Sequence, residues 1–178
     1  FVFEFQPAKG TAGEGSSLGD SLDLARFLSG DRLSDTKAKT VAWVPRSVKG
    51  HALLPILACE QIVMGRDAEI GAAGSGEKNA VDNALRDEYL HIAERRHTIP
   101  PAVALGLLDK ELAVFKVTTI ENMGVRYEAS DALKKLREQG AVSKEETFFQ
   151  PGDPHLITGQ QMRESLFATH LAENRREL

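Results

Sequence analysis

The groups able to do chemistry in this chain are few. One cysteine, Cys59, stands among five histidines, His51, His91, His97, His155 and His170. A single cysteine excludes an internal disulfide and a thiolate zinc cluster. Cys59 lies in an apolar run with no activating cation beside it, so it reads as an inert core thiol. His91 and His97 are six residues apart, not at the i, i+4 spacing of a helical metal pair. His155 falls in Pro151-Gly-Asp-Pro-His155, a turn by its proline and glycine content, and His170 sits near a C-terminal apolar stripe. These four read as surface or packing histidines. Asp82, Asp87, Glu88 and Glu94 read as a solvated acidic face. Arg95-Arg96 and Arg175-Arg176 read as helix-end charges. The more informative place is the segment 45–51. There a strand stopped by Pro45 leads to Gly50-His51 and straight into an apolar helix. A helix N-terminus offers N–H groups and a positive dipole end, which can hold an oxyanion.

The elements that must position this turn follow from periodicity. Residues 1–5, with three Phe and a Val around one Glu, predict a strand. A glycine-rich loop occupies 6–20, and a helix capped by Ser21 follows, closed by Gly30. Residues 40–44 are a second strand. In the apolar run 50–60, Pro55 restricts regular helix to a start near Leu54. Short strands are expected at 61–64 and 68–70, then a second flexible loop at 71–78. The longest helix signal, 79–96, places Val81, Leu85, Tyr89, Ile92 and Ala93 on one face. A short helix at 102–108, a strand at 113–119 and a surface helix at 130–139 follow. The tail 159–178 reads as helical, with Met162, Leu166, Phe167 and Leu171 as its stripe. Strands and helices alternate as in an α/β domain with a largely parallel sheet. Such sheets bind ligands outside the carboxyl ends of their strands, which again selects the 6–20 and 45–51 loops.

Composition sets the frame. The chain has 178 residues, 42% hydrophobic and 27% charged, the balance of one globular domain rather than a disordered segment. Its net charge of −4 gives no reason to expect nucleic acid or an anionic membrane as partner. No apolar run approaches the roughly 20 residues that span a bilayer. The chain opens on Phe1 with no signal segment and reads as a piece of a longer protein.

The run Lys39-Thr-Val-Ala-Trp-Val-Pro-Arg-Ser-Val-Lys-Gly-His-Ala-Leu-Leu-Pro-Ile-Leu-Ala-Cys-Glu-Gln-Ile-Val-Met64, followed by Asp67-Ala-Glu-Ile-Gly-Ala72, resembles the core of the ClpP/crotonase superfamily. It is most similar to the membrane-bound serine proteases of the NfeD and signal-peptide-peptidase-A type. The likeness extends over most of 1–175, including the opening strand with its glycine-rich loop and the Thr158-Gly159-Gln160 segment. Residues 39–72 carry its specificity. The resemblance implies a ClpP/crotonase-like α/β domain with a twisted, largely parallel sheet and surrounding helices. It also implies homo-oligomerisation, through the 79–109 helices or the C-terminal helix, and an extracytoplasmic domain whose membrane anchor lies outside this chain. No cofactor and no metal are implied.

The departure from the family is at its centre. Counting back from Ile70-Gly71, the nucleophilic serine falls on Gly50 and its successor on His51. Glycine has no nucleophile, although the His51 N–H still corresponds to the family's oxyanion donor. The family's general-base lysine corresponds to Lys78, in Glu77-Lys78-Asn-Ala-Val-Asp82. Three readings follow. The first is a degenerate peptidase homologue that binds a peptide or protein segment in its cleft by strand addition and serves as a scaffolding domain. The second is an active peptidase using a displaced Ser47 or Ser75 with Lys78. The third is a crotonase-type acyl-CoA enzyme, disfavoured by Leu54 where some hydratases place an acid.

Overall fold

The structure, a computed structural model, describes residues 1–7, 16–30, 33, 38–76, 81–121 and 123–178. Four strands form a parallel sheet: β1 (Val2–Glu4), β2 (Val41–Val44), β4 (Gln61–Met64) and β10 (His170–Leu171), in the order β1-β2-β4-β10. Parallel neighbours need long connections, and helices supply them. Helix α1 (Leu18–Ser29) lies between β1 and β2, and the short α2 (Leu53–Leu57) lies between β2 and β4. All five residues of α2 are buried, and Leu53, Leu54, Ile56 and Leu57 are at most 1% exposed. Each such side chain contributes roughly 1.5–3 kcal/mol by leaving water. Pro55 falls in the first turn of α2, where its missing N–H costs no intrahelical bond.

A second sheet sets β5 (Glu69–Gly71) between β3 (Val48–Lys49), to which it is parallel, and β9 (Leu156–Thr158), to which it is antiparallel. The third sheet is wholly antiparallel, in the order β7-β6-β8: β6 (Val114–Thr119), β7 (Val125–Ala129) and β8 (Val142–Phe149). The remaining helices are α3 (Asn83–Arg96), α4 (Pro101–Leu108), α5 (Ser130–Glu138) and α6 (Gly159–Glu164). The molecule is therefore a mixed α/β fold with a parallel sheet at its centre. The expectation of a largely parallel sheet is corrected at 114–149, where β6 meets β7 through a short connection that only antiparallel pairing permits, and β8, which follows α5, runs antiparallel to β6 on its other side.

Two helix expectations are also corrected. α1 begins at Leu18, a turn before the expected cap at Ser21. Ser17 accepts the Asp20 N–H instead, because Leu18 and Leu22 pack on the core one turn apart. The tail is not one helix. α6 stops at Glu164, and Leu166 takes a left-handed conformation (φ 63°) and stands 80% exposed. The N–H groups of Phe167 and Ala168 both turn back to the Met162 carbonyl, which frees the chain to enter β10. In the second loop, Ala73–Gly76 forms a 3₁₀ turn; positions 8–15 and 77–78 of the two predicted loops lie outside the described residues.

Arg96 joins three of these elements. Its guanidinium donates to the Leu28 carbonyl at the end of α1 and to the Ala58 carbonyl after α2, and lies 3.5 Å from Glu60 ahead of β4. It closes α3 as the expected helix-end charge and serves as a structural tie as well. Arg175, by contrast, lies outside any helix and pairs with Glu4 of β1 at 2.5 Å.

Candidate active site

The turn singled out by sequence is built by two sheets at once. β2 ends at Val44, Pro45 breaks it, and the chain crosses into β3 of the second sheet. β3 stops at Lys49, and Gly50, buried at φ 77°, reverses the backbone into a 3₁₀ turn (Gly50–Ala52) that runs on into α2. The positive φ explains the residue type, since any side chain there meets its own backbone. The Leu53 N–H turns back to the carbonyls of Gly50 and His51. The Ala52 N–H donates at 2.8 Å to the hydroxyl of Ser16, which arrives from the glycine-rich loop after β1. The two loops expected to flank a ligand site thus meet at this turn.

His51 is turned inward, 5% exposed, with Nδ1 3.2 Å from the phenolic oxygen of Tyr89 on α3. The two rings are tilted at 59° with centroids 6.4 Å apart. Tyr89 is fully buried. This pair anchors α3 against the turn.

The hydroxyls of both candidate displaced serines are engaged with backbone groups. Ser47 uses its hydroxyl to accept the Glu69 N–H at 2.9 Å, joining the β2–β3 connection to β5. Ser75 donates its hydroxyl to the Ala72 carbonyl at 2.7 Å, within its own 3₁₀ turn. Both hydroxyls perform backbone satisfaction, a frequent serine role in turns. Lys78 lies outside the described residues. Leu54 is completely buried in the core, so its place in the helix carries no acid toward a ligand. At the end of β5, Gly71 (φ 137°) and Ala72 (φ 48°) turn the chain. A Cβ on Gly71 would lie 2.2 Å from the His155 carbonyl oxygen, so glycine is required there by space as well as by φ.

The other candidates are structural. Asp82 caps α3 by accepting the Leu85 N–H at 2.8 Å, and Glu88 pairs with Arg26 of α1 at 2.5 Å. Asp87 and Glu94 are exposed, as are His91 and His97, and His97 ends α3 in a left-handed conformation (φ 55°). Cys59 donates to the Pro55 carbonyl, and burial pushes its thiol up to about 12. Among the described residues no group of three or more His, Cys, Asp or Glu is placed to hold a metal ion. Nor is any described helix long and apolar enough to cross a membrane. Ser16 and the Tyr89 partner of His51 escaped the sequence reading. The loop position of Ser16 gives no periodic signal, and Tyr89 reads only as one member of an apolar stripe. Comparison with family models, with curated proteins and with solved structures finds no match to this chain.

Proposed function

We propose that the chain is a serine-peptidase homologue of the ClpP/NfeD type that has lost its nucleophile and keeps the cleft as a peptide-binding or scaffolding site. The observation that supports this reading most is Gly50. It occupies the turn between a strand and a buried helix, in a backbone conformation suited to glycine, at the position where the resemblance puts the serine. The hydroxyls of Ser47 and Ser75 are engaged with backbone groups elsewhere, which argues against a displaced nucleophile. The buried Leu54 argues against acyl-CoA chemistry of the crotonase kind.

In this reading β3 is the functional edge. It has a neighbour in β5 on one side and ends the sheet on the other, so an extended peptide can pair with Val48–Lys49 and lead its next carbonyl toward the Gly50 turn. Homo-oligomerisation through the α3–α4 region and attachment to a membrane by a segment outside this chain belong to the same proposal.

The test is treatment of the folded protein with a fluorophosphonate probe, read by peptide mass spectrometry beside Lys78→Ala. No modified serine is expected. Probe on Ser47 or Ser75, lost in Lys78→Ala, would replace the proposal by an active serine–lysine peptidase. In parallel, extended peptides titrated into isotopically labelled protein are expected to shift the amide signals of Val48 and Lys49. A peptide panel that leaves both signals in place removes the binding half of the proposal.

A further inference from the structure

The connection between β8 and β9, Gln150-Pro-Gly-Asp-Pro-His155, turns on Gly152 at φ 123°. Its last residue goes inward. His155 is 7% exposed and its ring lies flat on Phe149, with centroids 4.4 Å apart and planes 3° from parallel. Nδ1 is 2.6 Å from the carbonyl oxygen of Gly106 in α4, and Nε2 is 2.7 Å from that of Gln150. Carbonyl oxygens only accept. A neutral imidazole has one N–H and satisfies one of them, leaving the other facing a nitrogen lone pair. The imidazolium donates to both.

We infer that His155 is a protonation-linked latch: the charged ring fastens the β8–β9 connection to α4, and loss of its proton releases one side. The latch bears on the candidate cleft through the backbone. The His155 carbonyl takes the Ala72 N–H at 2.8 Å and fills the space beside Gly71. That turn continues into Ala73–Gly76, ahead of Lys78.

The elements around the ring bring few charges of their own. α4 carries no titratable side chain, and Asp109 beyond its end is paired with Arg86. β5 carries Glu69, opposite Thr158 in the register. On β8 the nearest titratable residue is the exposed Glu146. In and beside the connection, Asp153 and Lys110 are exposed, and Lys110 contributes its carbonyl to the Gly152 N–H. The two carbonyls are the direct polar partners of the ring.

The test is nuclear magnetic resonance of protein labelled with ¹⁵N-histidine, with amide hydrogen exchange read at Ala72. In the latched state both His155 ring nitrogens are expected to carry protected protons. Once the ring is neutral, the Ala72 amide is expected to exchange roughly tenfold faster after correction for the intrinsic rate. A ring with a single N–H throughout about pH 5–8 in the folded chain overturns the inference. So does Ala72 protection that ignores pH. His155→Gln keeps a donor but cannot titrate, and is expected to flatten the Ala72 profile. The wild-type measurements decide the matter if that variant does not fold.

Discussion

Gly50 is where sequence and backbone bear on each other most directly. At φ 77° an L-residue is strained, so Gly50→Ala is expected to cost about 1 kcal/mol in a urea unfolding experiment, with the m-value unchanged. Gly50→Ser carries the same strain and would supply the hydroxyl that the proposed function requires to be lost. Cys59 gives a second prediction at this scale. The folded state holds the thiol proton up to about 12. The stabilisation is complete below the unfolded value of about 8.5 and is lost as pH rises toward the folded one. Stability should therefore decline across that alkaline interval, and less so in Cys59→Ala. In native protein near neutral pH a thiol reagent is expected to react only as fast as the chain unfolds. The chemistry of Cys59 was legible from its neighbours in sequence. The roles of Ser47 and Ser75 were not, because a hydroxyl that could attack and one that satisfies a backbone group look alike until partners 22 and 3 residues away are known.

Elements were legible in proportion to how one-sided their burial is. α3 buries Leu85, Tyr89, Ile92 and Ala93 along one face, so its period survives in the sequence. Its cap is a clear test: Asp82→Ala should cost about 1 kcal/mol in thermal or urea unfolding. β8 shows the opposite case. Residues 144–147 are all exposed, so Lys144, Glu145, Glu146 and Thr147 present no alternation to read. The tail misled for a different reason. Met162 and Phe167 do reach the core, but the left-handed Leu166 between them converts a helical stripe into a turn. The β5 turn should be the least tolerant element. Gly71→Ala forces a Cβ into the His155 carbonyl, and we expect a loss of more than about 3 kcal/mol or failure to fold, seen as a collapsed thermal transition.

For the molecule as a whole, Arg96 is the residue whose loss should be felt farthest away. Arg96→Met removes donors from the Leu28 and Ala58 carbonyls and leaves Glu60 without this guanidinium. A loss of roughly 2–4 kcal/mol is expected in urea unfolding, with hydrogen exchange rising at the end of α1 and the start of β4 together. The alternation of strands and helices made the mixed α/β class legible. The three-sheet arrangement was not, because the antiparallel unit of β6, β7 and β8 depends on pairing rather than on local pattern.

The place of β10 has a consequence for how the chain is made. β4 lies inside the parallel sheet only because His170 and Leu171, more than a hundred residues later, pair along its far side. While the ribosome is still adding residues 65 to 169, β4 presents a bare edge of Ile62, Val63 and Met64. Nascent or C-terminally clipped molecules thus share a sticky border that the finished molecule hides, and they should associate along it as intact chains do not.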